Sequence, residues 1–380
     1  MENLSSSASV PKVGFWEQMS NAVPSAAETA DPTPSWPADG LESVPACPVC
    51  RDRQREVVHT KLRDRVWFCA PGEWNLYRCD KCGTGYLDPR PNAATIGMAY
   101  ANYFTHGSAQ APNHAPPSAW RRHRIAQRNA YLNHQYGYKL EPAAARVTRW
   151  LSTDRRQRWD KFVCFLNWPG KGARLLDIGC ANGGFLLQMQ SIGWEVAGVE
   201  PDPKAVAQAQ AAGLDVRPGL LQADTFPKAH FDAITMGHVI EHLHEPLETL
   251  RNCFTVMKPG GVIAIATPNF QSFGHSIFGR DWFALEIPRH LVLFTPESLR
   301  LALKSTGFEP EANLRPRMVS NNIFRRSVHL QRGGDPIREK PPLSPAAKLK
   351  RLWLTWRADR ATTARPELTE EIVQLARRPS

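Results

Sequence analysis

Eight cysteines occur in the chain, and four of them form two Cys-x-x-Cys pairs whose spacing suits metal chemistry. The pairs are Cys47-Pro48-Val49-Cys50 and Cys79-Asp80-Lys81-Cys82-Gly83, with 28 residues between them. Two such pairs in one short segment can supply a tetrahedral thiolate shell for Zn2+. Four thiolates close that shell and leave no position for a substrate, so the zinc would be structural. The interval is long for a zinc ribbon and calls for a β-hairpin with an extended loop. Gly83 lets the backbone amides after the second pair turn toward the sulfurs. Free thiols and a redox pair are the alternatives. A redox pair would sit at a helix start after a strand, which neither pair clearly does. Cys69, inside the interval, has no partner at two-residue spacing and reads as a core thiol.

A second constellation is the run Leu175-Leu176-Asp177-Ile178-Gly179-Cys180-Ala181-Asn182-Gly183-Gly184-Phe185. A strand ends, glycines follow and a helix opens. Gly179 allows a tight turn and close approach to a ligand, and Ala181 and Gly183 keep the loop thin. Such a loop puts the ligand at the carboxyl ends of the strands, at the switch point of the sheet. Asp177 places a carboxylate where a cationic ligand would want one. Glu200 ends the next strand, and an acid there can accept hydrogen bonds from two ribose hydroxyls. The loop is Asp-x-Gly-x-Ala-x-Gly rather than Gly-x-Gly-x-x-Gly, which weighs against a nicotinamide dinucleotide.

These residues must be positioned by alternating strands and helices, and from Gly172 to about Asn269 the chain shows that alternation. Strands are predicted at Arg174–Ile178, Glu195–Glu200, Phe231–Met236 and Val262–Thr267, and helices at Gly183–Ile192, Pro203–Ala212 and Pro246–Met257. Lys258-Pro259-Gly260-Gly261 reads as the turn ending the last of these helices. Thr295 reads as an N-cap with Pro296 in the first turn, and the helix stops at Gly307. Helical stretches are also predicted at Trp120–Tyr136 and Ala143–Leu166.

In these motifs, together with Val199-Glu200-Pro201-Asp202, Phe231-Asp232-Ala233-Ile234 and Val239-Ile240-Glu241-His242-Leu243, the chain resembles the class I S-adenosylmethionine (SAM)-dependent methyltransferases over roughly Gly172–Phe308. The core is similar to the ubiquinone-biosynthesis type. The amino-terminal cysteine module, followed by Gly85–Pro91, resembles the layout of sugar and glycan-pathway methyltransferases. The resemblance implies an α/β, Rossmann-like seven-stranded sheet with helices on both faces and a final antiparallel strand, for which Glu371–Ala376 is the candidate. It implies SAM as cofactor, bound by the turn with Asp177, Gly179, Ala181 and Gly183, of which Asp177 and Gly179 lie near its methionine part, with Glu200 on its ribose and His238 facing the methionine or sulfonium. Adenine contacts would come from Leu220–Asp224. Ala181 stands where many members have Gly, a small change.

The chemistry of methyl transfer is an in-line displacement, so alignment matters most. A base helps when the acceptor is a hydroxyl or carbon acid. His242 is the first candidate catalytic base and His290 the second; bracing the loop with Glu241 is the alternative for His242. Arg289 could meet an acidic acceptor or form an ordinary salt bridge. Trp282 and Phe283 could line a pocket or fill core. His238-Val-Ile-Glu241-His242 also matches a zinc-protease pattern, but it follows a sheet strand and not the helix that pattern needs.

The expected organisation is a disordered segment at 1–44, in which Trp16 could dock, a zinc-ribbon-like module at 45–91, a helical region at 92–170, the methyltransferase domain at 171–314, a basic insertion at 315–368 and the final strand at 369–380. The net charge of +11 is concentrated: Arg315–Arg360 holds twelve Lys or Arg against three acids. Within it, Leu349, Leu352, Trp353 and Trp356 recur at helical spacing between cations, which fits the surface of an anionic membrane or packing on the chain's own domain. No secretory signal is visible and no apolar run approaches about 20 residues. A cytoplasmic protein, peripheral at the membrane on the first reading of that helix, is expected. The leading reading is methyl transfer, O- ahead of C-methylation, to a small-molecule, sugar or glycan, or lipid-linked acceptor. An RNA methyltransferase using the cysteine module and basic insertion is the second reading, and a non-catalytic SAM-binding scaffold the third.

Overall fold

The computed structural model describes residues 35–101, 118–145, 152–311, 320–337 and 344–380. The strands and helices run in the order β1 (Leu41–Glu42), β2 (Arg55–Leu62), β3 (Trp74–Cys79), β4 (Gly85–Leu87), β5 (Arg90–Pro91), α1 (Ala119–Tyr136), α2 (Thr153–Phe162), β6 (Arg174–Ile178), α3 (Gly184–Gln190), β7 (Glu195–Glu200), α4 (Pro203–Ala211), β8 (Asp215–Pro218), β9 (Phe231–Gly237), α5 (Pro246–Val256), β10 (Met257–Pro268), α6 (Phe273–Phe278), β11 (Val292–Leu293), α7 (Pro296–Ser305), β12 (Glu309–Pro310), α8 (Ser320–Gln331), α9 (Pro345–Ala364) and β13 (Glu371–Arg377).

A seven-stranded sheet has the order β12-β13-β10-β9-β6-β7-β8. Its β6, β7 and β8 are parallel, and β13 runs antiparallel to β12. This is the Rossmann-like α/β architecture with an antiparallel final strand. A separate four-stranded sheet has the order β11-β4-β3-β2, and β1 pairs with β5.

The chain divides into two compact units. The described part of the first is drawn from Thr105–Thr235 and Val256–Ala264. Its central strand β6 is buried from Leu175 to Ile178, as expected of a parallel strand covered on both faces. Asp202 caps α4 by accepting from Lys204 N, with Pro203 in the first turn. Gly213, at φ 80°, ends that helix region in the left-handed conformation.

The second unit comprises Met19–Phe104, Met236–Thr255 and Ile265–Ser380. Here α7 carries a full capping box between Thr295 and Ser298, with Pro296 in its first turn. The strand β4 of the cysteine-bearing segment pairs with β11, more than 200 residues later in the chain (Tyr86 opposite Val292, Gly85 opposite Leu293). The segment is thus a hydrogen-bonded part of this unit. Trp36 is buried against Trp74 and donates through Nε1 to Gly40 O.

Several expectations shift. Of the segment expected to be disordered, residues 1–34, with Trp16, lie outside the described residues, whereas Trp36–Val44 is structured: it holds β1 and buries Trp36 and Val44. Lys258–Gly261 was expected to be a turn outside the sheet, but β10 starts at Met257 and carries it. Lys258 Nζ binds both oxygens of Asp232, at 2.9 and 2.8 Å, which holds the segment in register. In the expected helix Ala143–Leu166, residues 146–151 lie outside the described residues and helix is present only over Thr153–Phe162.

The thin β6–β7 layer depends on Gly198. A Cβ there would lie 2.5 Å from Cys180 Sγ and 3.0 Å from Leu186 Cδ1. Gly198→Ala should therefore cost about 1–3 kcal/mol of urea stability by overpacking. An unchanged midpoint would contradict this packing.

Candidate functional site

The β6–α3 turn of the first unit is built as its sequence requires. Gly179, Ala181 and Gly183 all adopt positive φ, at 70°, 47° and 81°. Ala181 pays a strain that Gly would not, and it is held there by Glu200. Glu200 Oε2 accepts from Ala181 N at 2.9 Å, and Oε1 accepts from Asp202 N at 2.9 Å. At Gly183 a side chain has no room: a Cβ would run into Leu214 and lie 3.1 Å from Ala209 Cβ. The carboxylate at the end of β7 therefore fixes the loop after β6, and both sit at strand carboxyl ends.

Asp177 is buried in β6 and accepts from Thr235 Oγ1 at 2.6 Å. Burial pushes its carboxyl up to about 7, against the pull of Thr235. Burial likewise raises Glu200, against the two amides that favour its ionised form. Two buried acids beside this glycine-containing turn suit a ligand that carries a positive charge and hydroxyl donors. SAM carries both, so the residues present fit that cofactor. Of the segment expected near adenine, Leu220–Asp224, Leu220 is exposed; just before it, Gly219 N donates to Glu200 O at 2.9 Å.

In the second unit the four cysteines converge. Cys47 Sγ lies 3.5 Å from Cys82 Sγ and Cys50 Sγ 3.4 Å from Cys79 Sγ. All four sulfurs fall within 4.8 Å of one another. A disulfide would bring sulfurs to about 2 Å. A zinc ion with about 2.3 Å bonds would set tetrahedral edges of about 3.8 Å, close to what is seen. The two knuckles repeat one geometry: Arg51 N donates to Cys47 O and Gly83 N to Cys79 O, both at 2.9 Å. Arg51 and Gly83 each have positive φ, at 63° and 74°. The donor set and its spacing fit Zn2+.

A histidine cluster lies in the same unit. His238 is placed between Glu371, 2.9 Å from Nε2, and Glu241, 3.4 Å from Nδ1. Burial works against its charge, but the two carboxylates prevail and lift it to about 9. Glu241 is wholly buried and also accepts from Thr267 Oγ1 at 2.9 Å. His242 Nδ1 lies 3.0 Å from Arg289 O and 3.0 Å from the Tyr100 hydroxyl. The carbonyl can only accept, so Nδ1 carries the proton and Nε2 presents a lone pair. His290 Nδ1 meets Ala284 O at 2.9 Å, with the same consequence. Burial pushes both imidazoles down to about 4, so they are neutral near pH 7. Their rings stand 4.7 Å apart, and with Glu241 they bring one potential metal ligand each within 4.8 Å.

Arg289, read from sequence as either a contact for an acidic acceptor or an ordinary salt bridge, forms the salt bridge and is fully buried. It donates to Asp64 through Nη1 at 3.1 Å and Nη2 at 2.8 Å, and Nη1 also reaches Ala99 O at 2.9 Å. Its Nε is buried, 3.7 Å from Glu286 Oε2. Trp282 is buried and donates from Nε1 to Glu370 Oε2 at 3.0 Å. Sequence reasoning missed Asp64, Tyr100, Thr235 and Glu371. Each acts across a long sequence separation, and no local motif marks it.

Residues 151–313 match the family model described as a methyltransferase domain. A ubiquinone biosynthesis O-methyltransferase of Cereibacter sphaeroides is 30% identical over 154 residues, covering 37% of this chain and 62% of the relative. One from Maricaulis maris is 32% identical over 160 residues, again 38% and 62%. The chain thus spans about 62% of the length of the curated relatives it matches. A solved SAM-dependent methyltransferase from Mesorhizobium loti is 17% identical, with a TM-score of 0.38, covering 58% of this chain and 98% of that one.

The buried ion pair supplies a test. Arg289→Met strands the Asp64 charge and should cost about 3–5 kcal/mol in urea denaturation. The double change Asp64→Asn, Arg289→Met should recover part of that loss. A single-variant loss below about 1 kcal/mol would mean that water reaches the pair.

Proposed function

We propose that residues 151–313, which match a family model described as a methyltransferase domain, form a class I SAM-dependent methyltransferase domain and that the chain transfers the methyl group of SAM to a hydroxyl oxygen of a small-molecule acceptor. SAM supplies a methyl carbon already activated on a sulfonium. The observation that carries the reading is the turn at Gly179–Gly183 locked to Glu200. On this reading Asp177 faces the positive end of SAM, and the Glu200 carboxylate takes the ribose hydroxyls. His238, engaged by two carboxylates, braces the loop after β9. His242 accepts the acceptor's proton at Nε2, and His290 is the alternate base. Zn2+ on Cys47, Cys50, Cys79 and Cys82 is structural and fastens the β2–β3 hairpin.

The acceptor class extends to sugar, glycan and lipid-linked hydroxyl compounds. The lipid-linked form is favoured by α9. Its Ala347, Leu354 and Ala358 are buried, whereas Leu349, Leu352, Trp353 and Trp356 are 50–69% exposed. Lys348, Lys350, Arg357 and Arg360 flank that apolar stripe and are exposed, with Arg357 over Trp353 and Arg360 over Trp356. A cationic helix with an exposed Trp stripe suits an anionic bilayer surface. Among the described residues no helix is long and apolar enough to cross a membrane.

Calorimetric titration tests the central reading. Wild type should bind SAM with one site. Glu200→Ala should weaken it about 10- to 100-fold, the loss of one or two charge-assisted hydrogen bonds. Failure of the wild type to bind SAM would overturn the proposal. For α9, wild type should co-sediment with phosphatidylglycerol vesicles and not with phosphatidylcholine vesicles, and Trp353→Glu with Trp356→Glu should stay in solution. Equal sedimentation of wild type and variant would remove the membrane role.

A further inference from the structure

A cavity of about 360 Å³ opens in the second unit. That volume lies within the range of small-molecule sites. Its wall is divided. Leu62, Val66, Phe283 and Leu330 are buried and form an apolar floor. Lys61, Arg63, Arg65 and Arg280 stand on the rim, the first two and Arg280 exposed.

The rim is shaped by a break in β2. The β2–β3 register shifts between His59 and Leu62, and Lys61 takes a φ of 52°. A bulge of this kind re-aims a side chain. Arg280 Nη2 holds the bulge by donating to Thr60 O at 3.2 Å and Lys61 O at 3.1 Å. Those carbonyls satisfy donors without cancelling the charge. Arg63 is matched by Glu73, and Arg65 by Asp281. Lys61 and Arg280 have no carboxylate partner among the described residues. Glu286, the acid on the wall, is engaged by Trp67 Nε1 at 3.2 Å and lies 3.7 Å from Arg289 Nε. The cavity therefore combines a dry floor with two unmatched cations at its mouth.

We infer that this cavity binds an amphiphilic anion, a molecule with an apolar body and a phosphate or carboxylate head held by Lys61 and Arg280. The apolar floor alone would accept many neutral compounds; the cations at the mouth select for a charged head and set its orientation. This inference rests on the methyltransferase reading for the ligand's role, that of the acceptor or its carrier, and not for its binding.

The full chain should be titrated calorimetrically with geranyl phosphate, geraniol and inorganic phosphate. Geranyl phosphate should bind at least tenfold more tightly than either fragment. Lys61→Glu, a change at an exposed side chain, should weaken geranyl phosphate at least tenfold and leave SAM affinity unchanged. Lys61→Arg should restore binding. Equal binding of geraniol, no binding of geranyl phosphate, or indifference to Lys61→Glu would each overturn the inference. If SAM still binds in those cases, the methyltransferase reading stands without it. If inorganic phosphate binds as tightly as geranyl phosphate, the site takes a free anion and the inference fails.

Discussion

The ion pair between Asp64 and Arg289 is the contact on which the second unit depends. Both side chains are essentially without solvent exposure. Burying two charges costs several kcal/mol each unless every lone pair and proton is satisfied. Asp64 meets that condition with unusual completeness. Its two oxygens accept from Val66 N, Trp67 N, Cys69 N and Ala70 N, at 3.0–3.2 Å, besides the Arg289 fork. Burial raises the carboxyl and Arg289 lowers it, with the net shift downward, so Asp64 stays ionised. The loop between the two cysteine pairs is therefore wound around one carboxylate. The same arginine's backbone carbonyl fixes the tautomer of His242. One interaction thus sets both the shape of that loop and the orientation of an imidazole.

The cysteine knuckles serve the same unit from another side. Cys79 ends β3, and the second knuckle leads directly into β4, which pairs with β11. The segment 286–295 then carries Arg289, His290, β11 and the Thr295 cap in sequence. Holding the knuckles together holds β3 and β4, and through them β11. A metal held by these four thiolates would stabilise the segment on which the histidine cluster depends, with its shell closed to substrate.

The parts of this fold that follow local rules could be read from sequence. The β6 and β7 strands, the Thr295 cap and the stop at Gly307 are each specified within a few residues by apolar runs, a capping side chain and a glycine at φ 96°. The exposed stripe of α9 was visible in its spacing, though spacing could not say whether it faced solvent or core. The start of β10 was misjudged because Lys258–Gly261 has turn composition, and the pull of Asp232 on Lys258 lies 26 residues away. Arg289 stayed open between two readings because the partner that decides for the salt bridge, Asp64, lies 225 residues away, in a stretch without periodicity. The β4–β11 pairing joins strands of three and two residues, too short to carry a pattern. Of the site, the glycine turn and Glu200 were legible. The state of the histidines was not, because it is set by burial and by carbonyls and carboxylates from elsewhere in the chain.

Native mass spectrometry of the wild-type chain, alone and with SAM, tests the whole account most directly. The account predicts one zinc per chain, retained when SAM is added, and a mass increment of one SAM. A chain that takes up no SAM at millimolar concentration would contradict its central claim, whatever metal it carries.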